Sequence, residues 1–396
     1  MNQSLSISDI AQVFNGKTPS VSDQRTNGHP VLKIKDTDAL GNFKGKFESF
    51  VDQEYTEKYS EKKLRAGDFL ILNAAHNASH VGSKVFYANS NLGEPLITGE
   101  WLVIRCNSSL VDSIYLSHYF SSDFAKKQLT GLVKGIHLYP KDVGRIKLKL
   151  PNISEQRRIG AILDKAEALR TKRRKAIAKL DRLLQSVFFE MFGDSVTNNK
   201  KWNEEKLLGE VADICSGITK GRKTTSETKS IPYLAVSNVQ DRFLKLDVVK
   251  EIDATEDEIE KYKLKKNDLL LTEGGDPDKL GRGSLWHDEI PLCIHQNHVF
   301  RVRINNKEIN PIYLNWLVGS PRGKRYFLSV AKQTTGIASI NLGQLKRFPL
   351  LIPPLDLQEK FAKIEAAVRE KHIVEQKVSL EKIDGLISSI QASYFQ

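Results

Sequence analysis

One stretch near the middle of the chain constrains the fold most: residues 150–193, LPNISEQRRIGAILDKAEALRTKRRKAIAKLDRLLQSVFFEMFG. Its apolar or small residues recur at Ile159, Ile162, Ala166 and Leu169, then at Ala176, Leu180, Leu183, Val187 and Met191. The steps of three and four are those of a coiled-coil seam, so the stretch is expected to be one long helix. Ser154 is placed to cap its start and Gly193 to end it. Arg173 interrupts the seam. The other face is basic: Arg157 to Arg182 holds 10 Lys/Arg against 3 Asp/Glu, a net of +7. A lone amphipathic helix of this length cannot cover its own stripe and requires a partner helix.

The same chain supplies that partner in residues 352–396. Laid on the central stretch, Pro353 meets Pro151, Gln358 meets Gln156, Phe361 meets Ile159 and Ile364 meets Ile162, at an offset of 202. Further on, Leu386, Ile387, Ile390 and Phe395 meet Leu183, Leu184, Val187 and Phe192 at an offset of 203, so one residue has been inserted between. The second seam reads Ile373, Leu380, Ile383, Ile387, Ile390 and Tyr394, with a phase break near Arg369–His372. From Pro354 onward this segment carries 6 Lys/Arg against 7 Asp/Glu, which suits a basic partner.

The segments before the helices repeat as well. LGEVADICSGITKG matches ISDIAQVFNGKTPS, with Ala212 on Ala11 and Gly217 on Gly16. LKKNDLLL matches LRAGDFLI, with Asp268 on Asp68, and Ile312-Tyr313-Leu314 repeats Ile114-Tyr115-Leu116. The chain is therefore a tandem duplication, globule–helix–globule–helix. Short strands and helices mix without regular alternation, so each globule is expected to be of α/β (α+β) class. The expected domains are residues 1–150, a helix over 151–193, residues 194–352 and a helix over 353–396. The scaffold repeats while the polar loops differ, the pattern of one frame carrying two readouts.

Composition narrows the function. The 396 residues carry a net charge of +12 and a pI near 9.3, which favours a polyanionic partner, most simply nucleic acid. Cys106, Cys215 and Cys293 are scattered with no CxxC, the usage of a reducing compartment without a zinc site. No run of about 18 apolar residues exists, so a cytoplasmic chain with no membrane segment is expected.

The two helices of about 45 residues, the P-x-I-x-x-Q of Pro151–Gln156 answered by P-x-L-x-x-Q at Pro353–Gln358, and TEGGDPDKLGRGSLW at Thr272–Trp286 give the chain a resemblance to the specificity subunit of type I restriction–modification systems, over its full length. That resemblance implies two target-recognition domains and two helices packed as an antiparallel coiled-coil spacer, with pseudo-twofold symmetry. It implies that each domain reads half of a bipartite, asymmetric target in double-stranded DNA. It further implies that two methyltransferase subunits dock on the scaffold and that restriction (motor-nuclease) subunits join them. No catalysis and no cofactor is expected in this chain; S-adenosylmethionine, ATP and Mg would belong to the partner subunits. A free-standing sequence-specific DNA-binding regulator, or the recognition subunit of a methyltransferase without restriction activity, are the alternatives.

Motifs for catalysis do not form. Gly16-Lys17-Thr18 lacks the glycine that opens a phosphate loop, and Gly221-Arg222-Lys223-Thr224 fails the same test. His295 and His298 lack a nearby third ligand and read as a strand-end pair. Asp276, Asp278 and Lys279 read as a glycine-rich turn. No G-x-G-x-x-G follows a strand.

The residues expected to touch DNA lie on the polar loops: Lys17, Arg25, His76, Asn77, His80, Lys84, Lys134 and His137 in the first globule, and Lys220, Arg222, Lys223, Lys279, Arg282, Lys332 and Gln333 in the second. Arg and Lys suit guanine or phosphate, Asn and Gln suit adenine.

Overall fold

The computed structural model describes every residue except 1–2, 39–40, 76, 89–91, 107–108, 224, 335 and 396, and the side chains at 278, 371 and 372. The chain divides into two compact units, Met1–Arg174 with Lys377–Gln396, and Lys175–Gln376. Each globule thus folds together with half of each long helix, a division that cuts through the helices rather than at their starts.

In the first unit an antiparallel sheet runs in the order Ala11–Asn15, Trp101–Cys106, Phe69–Leu72, Val85–Tyr87. All four residues of FLIL are buried, as befits a strand covered on both faces. A smaller sheet holds Gln24–Arg25, Phe50–Val51, His29–Leu32 and Leu96–Ile97, the last two parallel. Gln3–Ser6 pairs with Lys147–Leu150, joining the two ends of the globule just before the helix.

The second unit builds the same frame. Its sheet runs Ala212–Ser216, Val299–Ile304, Leu269–Thr272, Gly283–Leu285, and Lys229–Leu234 again pairs in parallel with Ile294–His295. The repeated aspartate is explained by a clamp. Buried Asp68 receives Arg105 Nε at 2.9 Å and Nη2 at 2.8 Å; buried Asp268 receives Arg303 at 2.8 and 2.7 Å. A buried carboxylate is tolerated when it is paired and hydrogen-bonded in this way. The repeated glycine is explained by close approach: a Cβ on Gly16 would stand 2.3 Å from the Ile97 carbonyl oxygen, and one on Gly217 would stand 1.9 Å from that of His295.

The central helix spans Ile153–Phe192. Asn152 caps it, its side chain accepting from the Glu155 amide at 2.9 Å, so the cap lies two residues before the expected Ser154. Gly193, with φ +78°, ends it. The C-terminal segment runs as Leu355–Val368, a π-helical stretch Arg369–Val374, and Glu375–Phe395. The wide turn lies at the phase break and takes up the one inserted residue.

Within the first unit the two helices run antiparallel. Tyr394 donates to Glu155 at 3.1 Å, and further along the pair Arg170 meets Asp384 at 3.5 Å. Ile159, Leu163 and Ala166 share a core with Ile383, Ile387 and Phe395, and Phe395 stacks edge-on against Tyr115 and Tyr119. In the second unit Leu184, Phe188 and Phe192 share a core with Phe361 and Ile373, and the Phe188 and Phe361 rings lie 5.2 Å apart.

The seam is shifted from the expected one. Leu169 and Leu183 are 41% and 51% exposed, whereas Leu163 and Leu184 are fully buried, and Ile162 is half-buried. The buried stripe runs Gln156, Ile159, Leu163, Ala166, then through Arg170, Arg173, Ile177 and Leu180 to Leu184, Phe188 and Phe192. Arg173 therefore lies on the stripe with Arg170. Adjacent apolar pairs, Ile162-Leu163 and Leu183-Leu184, fit two phases equally by spacing; bulky Phe188 and Phe192 select one. Of the other expected positions, Ile159, Ile373, Ile383 and Ile387 are buried, and Leu180, Val187, Leu380 and Ile390 are half-buried.

Candidate DNA interface

In the first unit the buried strand Phe69–Leu72 leaves the sheet at Asn73. That residue is buried, and its amide donates to Asn15 Oδ1 at 2.9 Å and to the Gly99 carbonyl at 3.0 Å. The loop beyond is thereby anchored at its root. Asn77 caps the short turn Ala78–His80 by accepting from the Ser79 amide at 3.0 Å. A second loop closes on it: Lys134 and His137 bond each other through their backbones, and the Leu138 amide donates to the Asn73 carbonyl at 2.8 Å. Together these loops line an open cleft of about 650 Å³ with Leu72, Asn77, His80, Glu100 and Ile136 on its walls. Asn77 and His80 are thus brought together, with Lys134 and His137 on the neighbouring turn.

Other candidates of the first unit stand elsewhere or are engaged. Lys17 lies 5.7 Å from the Tyr59 ring, and Arg25 pairs with Asp52 at 2.7 Å on the small sheet. The Lys84 amine donates to the carbonyls of Ile34 and Thr37 at 3.0 and 2.9 Å, and burial lowers its pKa. It holds two loops together. Lys134 is exposed but paired with Asp142 at 2.7 Å. His76 lies outside the described residues.

The second unit carries a different set on the same frame. The loop after Leu269–Thr272 turns at Pro277–Lys279, where Lys279 pairs with Asp276, and returns at Arg282. Gly281 is required there: its φ is +72°, and a Cβ would stand 2.4 Å from the Phe327 ring. Arg282 donates to Gln240 at 3.1 Å. Gly274–Gly275 pairs with Ile337–Ser339, whose hairpin partner Lys332–Thr334 presents Lys332 and Gln333 to solvent. Lys220 and Lys223 are exposed around Gly221. Arg222 between them turns inward, donating with two nitrogens to Glu258 and to the Asp253 carbonyl at 2.8 Å. Its guanidinium lowers the Glu258 pKa to about 2.

The histidine pair separates. His295 is buried, its Nδ1 donating to the Val299 carbonyl at 2.7 Å, and desolvation lowers its pKa to about 4. His298 is half-exposed and bonds Glu273 at 2.6 Å. Among the described residues no group of three His, Cys, Asp or Glu is placed to hold a metal. Burial raises the pKa of all three thiols, of Cys106 and Cys293 to about 12, which leaves them poor nucleophiles. No helix among the described residues is long and apolar enough to cross a membrane.

Glu100 and Glu273 are loop-root residues that reading the loops for cations and amides passed over, and His298, read there only as half of a strand-end pair, is a third. Aligning the repeats finds them, because the turn before Trp101 and the turn before Val299 superpose at an offset of 198.

Comparison with known proteins agrees with this frame. The chain is 21% identical over 374 residues to the type I restriction enzyme StySPI specificity subunit of Salmonella potsdam, covering 89% of this chain and 79% of that one. It is 21% identical over 379 residues to the type I restriction enzyme EcoKI specificity subunit of Escherichia coli K12, with the same coverage. The crystal structure of the type I restriction–modification S subunit from M. genitalium shares the fold, with a TM-score of 0.57 at 13% identity, covering 100% of this chain and 96% of that one. The type I restriction modification DNA specificity domain matches twice, over residues 2–180 and 199–380. With the duplicated frame, its paired helices and both family matches in place, the chain belongs to the type I restriction–modification DNA specificity family.

Proposed function

We propose that the chain is the sequence-reading subunit of a type I restriction–modification complex, itself without catalytic activity, and that each globule reads one half of a bipartite, asymmetric site in double-stranded DNA. The observation that carries this reading is a frame repeated down to the Asp68–Arg105 and Asp268–Arg303 clamps, from which the loops of the two units emerge with unlike side chains. Phosphate-facing cations position a protein on DNA, while side chains at base edges specify the sequence. Exposed Lys220, Lys223 and Lys332 suit the first role, and Gln333 with the residues at the loop roots the second.

Two methyltransferase subunits dock on the helical scaffold in this reading, and motor-nuclease subunits complete the restriction form. S-adenosylmethionine, ATP and Mg are then taken by those partners, and the complex acts in the cytoplasm, where its DNA lies. The exposed apolar residues Leu169, Leu183, Phe189 and Leu386 on the long helices support a scaffold that binds further protein.

The test is expression of the chain with its methyltransferase partner in cells lacking other modification, followed by methylome sequencing. A two-part motif is expected. The purified chain alone should neither cleave nor methylate DNA, and either activity in a preparation free of partners would sink the non-catalytic reading. Specific DNA binding with no captured methyltransferase would favour a free-standing regulator.

A further inference from the structure

Glu100 and His298 occupy one and the same place in the two repeats. In the first unit the Asn73 backbone N–H donates to the Glu100 carbonyl at 2.9 Å; in the second the Glu273 backbone N–H donates to the His298 carbonyl at 3.0 Å. Both sit on the turn that enters the long central strand, opposite the point where the buried strand releases the recognition loop. The frame on either side repeats, Asp68 with Asp268 and Arg105 with Arg303. These two positions do not: one unit has Asn73 and Glu100, the other a hydrogen-bonded Glu273 and His298.

The sign of the charge says what such a position can do. Glu100 is an exposed carboxylate on the wall of the 650 Å³ cleft, beside Asn77 and His80, in a chain of net charge +12. A carboxylate facing phosphates is repelled. Facing the major-groove edge of a base it is favourable, because it accepts from an exocyclic amine, cytosine N4 above all. Thr98 Oγ1 lies 3.1 Å from Glu100 Oε2 and 3.3 Å from the Leu32 carbonyl, so its one proton is shared between them and takes at most one of about four lone-pair sites of the carboxylate. In the second unit Glu273 accepts from His298 Nδ1 at 2.6 Å and so orients the ring, while Nε2 meets the Asn297 side-chain amide at 3.5 Å, a long contact that a base can replace.

We propose that position 100 and its counterpart 298 are base-reading, specificity-determining positions, one for each half of the target, with Glu100 reading an exocyclic amine. The proposal rests on the DNA-recognition reading above and adds to it which side chains select the sequence.

The experiment is methylome sequencing of cells carrying the methyltransferase partner with the wild-type chain, Glu100→Gln, Glu100→Ala or His298→Ala. Competition binding by each purified complex, on duplexes altered one base pair at a time, gives the same readout in vitro. Glu100→Gln keeps the shape but exchanges an acceptor for a donor. It should relax or switch the preference at a single base position by roughly tenfold or more, in one half of the motif only. Glu100→Ala should relax the same position, and His298→Ala a position in the other half. An unchanged motif in both Glu100 variants overturns the proposal and leaves the recognition reading standing. So does an equal loss of affinity for every duplex, which marks a role in folding or in backbone contact. If the wild-type complex imprints no two-part motif, the recognition reading itself fails, and this proposal with it.

Discussion

The Gln156 side-chain oxygen accepts a hydrogen bond from the backbone N–H of Asp112 at 2.9 Å, and Gln358 does the same for Asn310 at 2.9 Å. Each glutamine also donates to the carbonyl five residues before it, that of Pro151 or Pro353, at 2.8 and 2.7 Å. Both side chains are buried. The repeated proline-to-glutamine motif is thus a tether that fixes the first turn of a long helix to the start of a globule helix. Gln358→Leu, of similar volume, takes the partner from the Asn310 N–H, from the Pro353 carbonyl and from the Glu308 carbonyl, to which Gln358 also donates at 2.9 Å. It should cost about 1–3 kcal/mol for each group left unsatisfied, read as a lowered urea midpoint of the full chain. An unchanged midpoint would show that water replaces the tether.

Leu184 and Leu183 adjoin in sequence and differ in place. Leu184→Ala should destabilise the second unit by roughly 2–5 kcal/mol, whereas Leu183→Ala, at a half-exposed site, should cost well under about 1 kcal/mol. Thermal unfolding of the two variants side by side decides the phase of the seam, and equal losses would contradict the buried stripe.

His295 predicts an acid-sensitive second unit. Its folded pKa is lowered from 6.5 to about 4, so the folded state stays neutral while the unfolded chain takes up a proton. Its contribution is fully present above pH 6.5 and is lost as pH falls through that window, up to about 3 kcal/mol by pH 4. Comparing urea midpoints across pH 7 to 4 in the wild type and in His295→Gln should show a flatter profile in the variant. Parallel profiles would remove this histidine as the cause.

Arg222 and Glu258 act in the same direction lower down. The pairing lowers the Glu258 pKa from 4.5 to about 2, so its stabilisation is present above pH 4.5 and declines as pH falls toward 2. Arg222→Ala should weaken stability near neutral pH with no change in which bases are methylated. A changed motif would move Arg222 from a structural role to the DNA.

Exchange of residues 1–150 for the matching block of another family member should change one half of the methylated motif and leave the other half as it was. The motive is that each unit closes its own sheets and core. A motif altered on both sides of its spacer would contradict independent reading.

The duplication was legible because its carriers are local and chemical: an aspartate before a buried strand, a glycine under a carbonyl, a proline and a glutamine around a helix start. The helix pair was legible for the same reason, since a long apolar stripe must be covered. The phase of the seam was not, because neighbouring leucines satisfy either period until a bulky neighbour chooses. Nor was the engagement of the loop cations. Arg222 meets Glu258, 36 residues away, and Lys84 meets carbonyls about 50 residues before it, contacts that no spacing along the chain announces. An acidic residue at position 100 was hidden because DNA, as a polyanion, leads one to expect positive charge at its contacts.

The wide turn at Arg369–Val374 holds the one extra residue, and past it Ile383, Ile387 and Phe395 turn to the core of the first unit just as Leu180, Leu184 and Phe192 turn to that of the second. The two helical copies therefore remain interchangeable in azimuth despite unequal length. Crossing-over between the halves of such a gene, within this stretch, yields a chain whose helices still close on their globules. Breakpoints there keep the apolar faces in phase, where in an ordinary core they would scramble the packing.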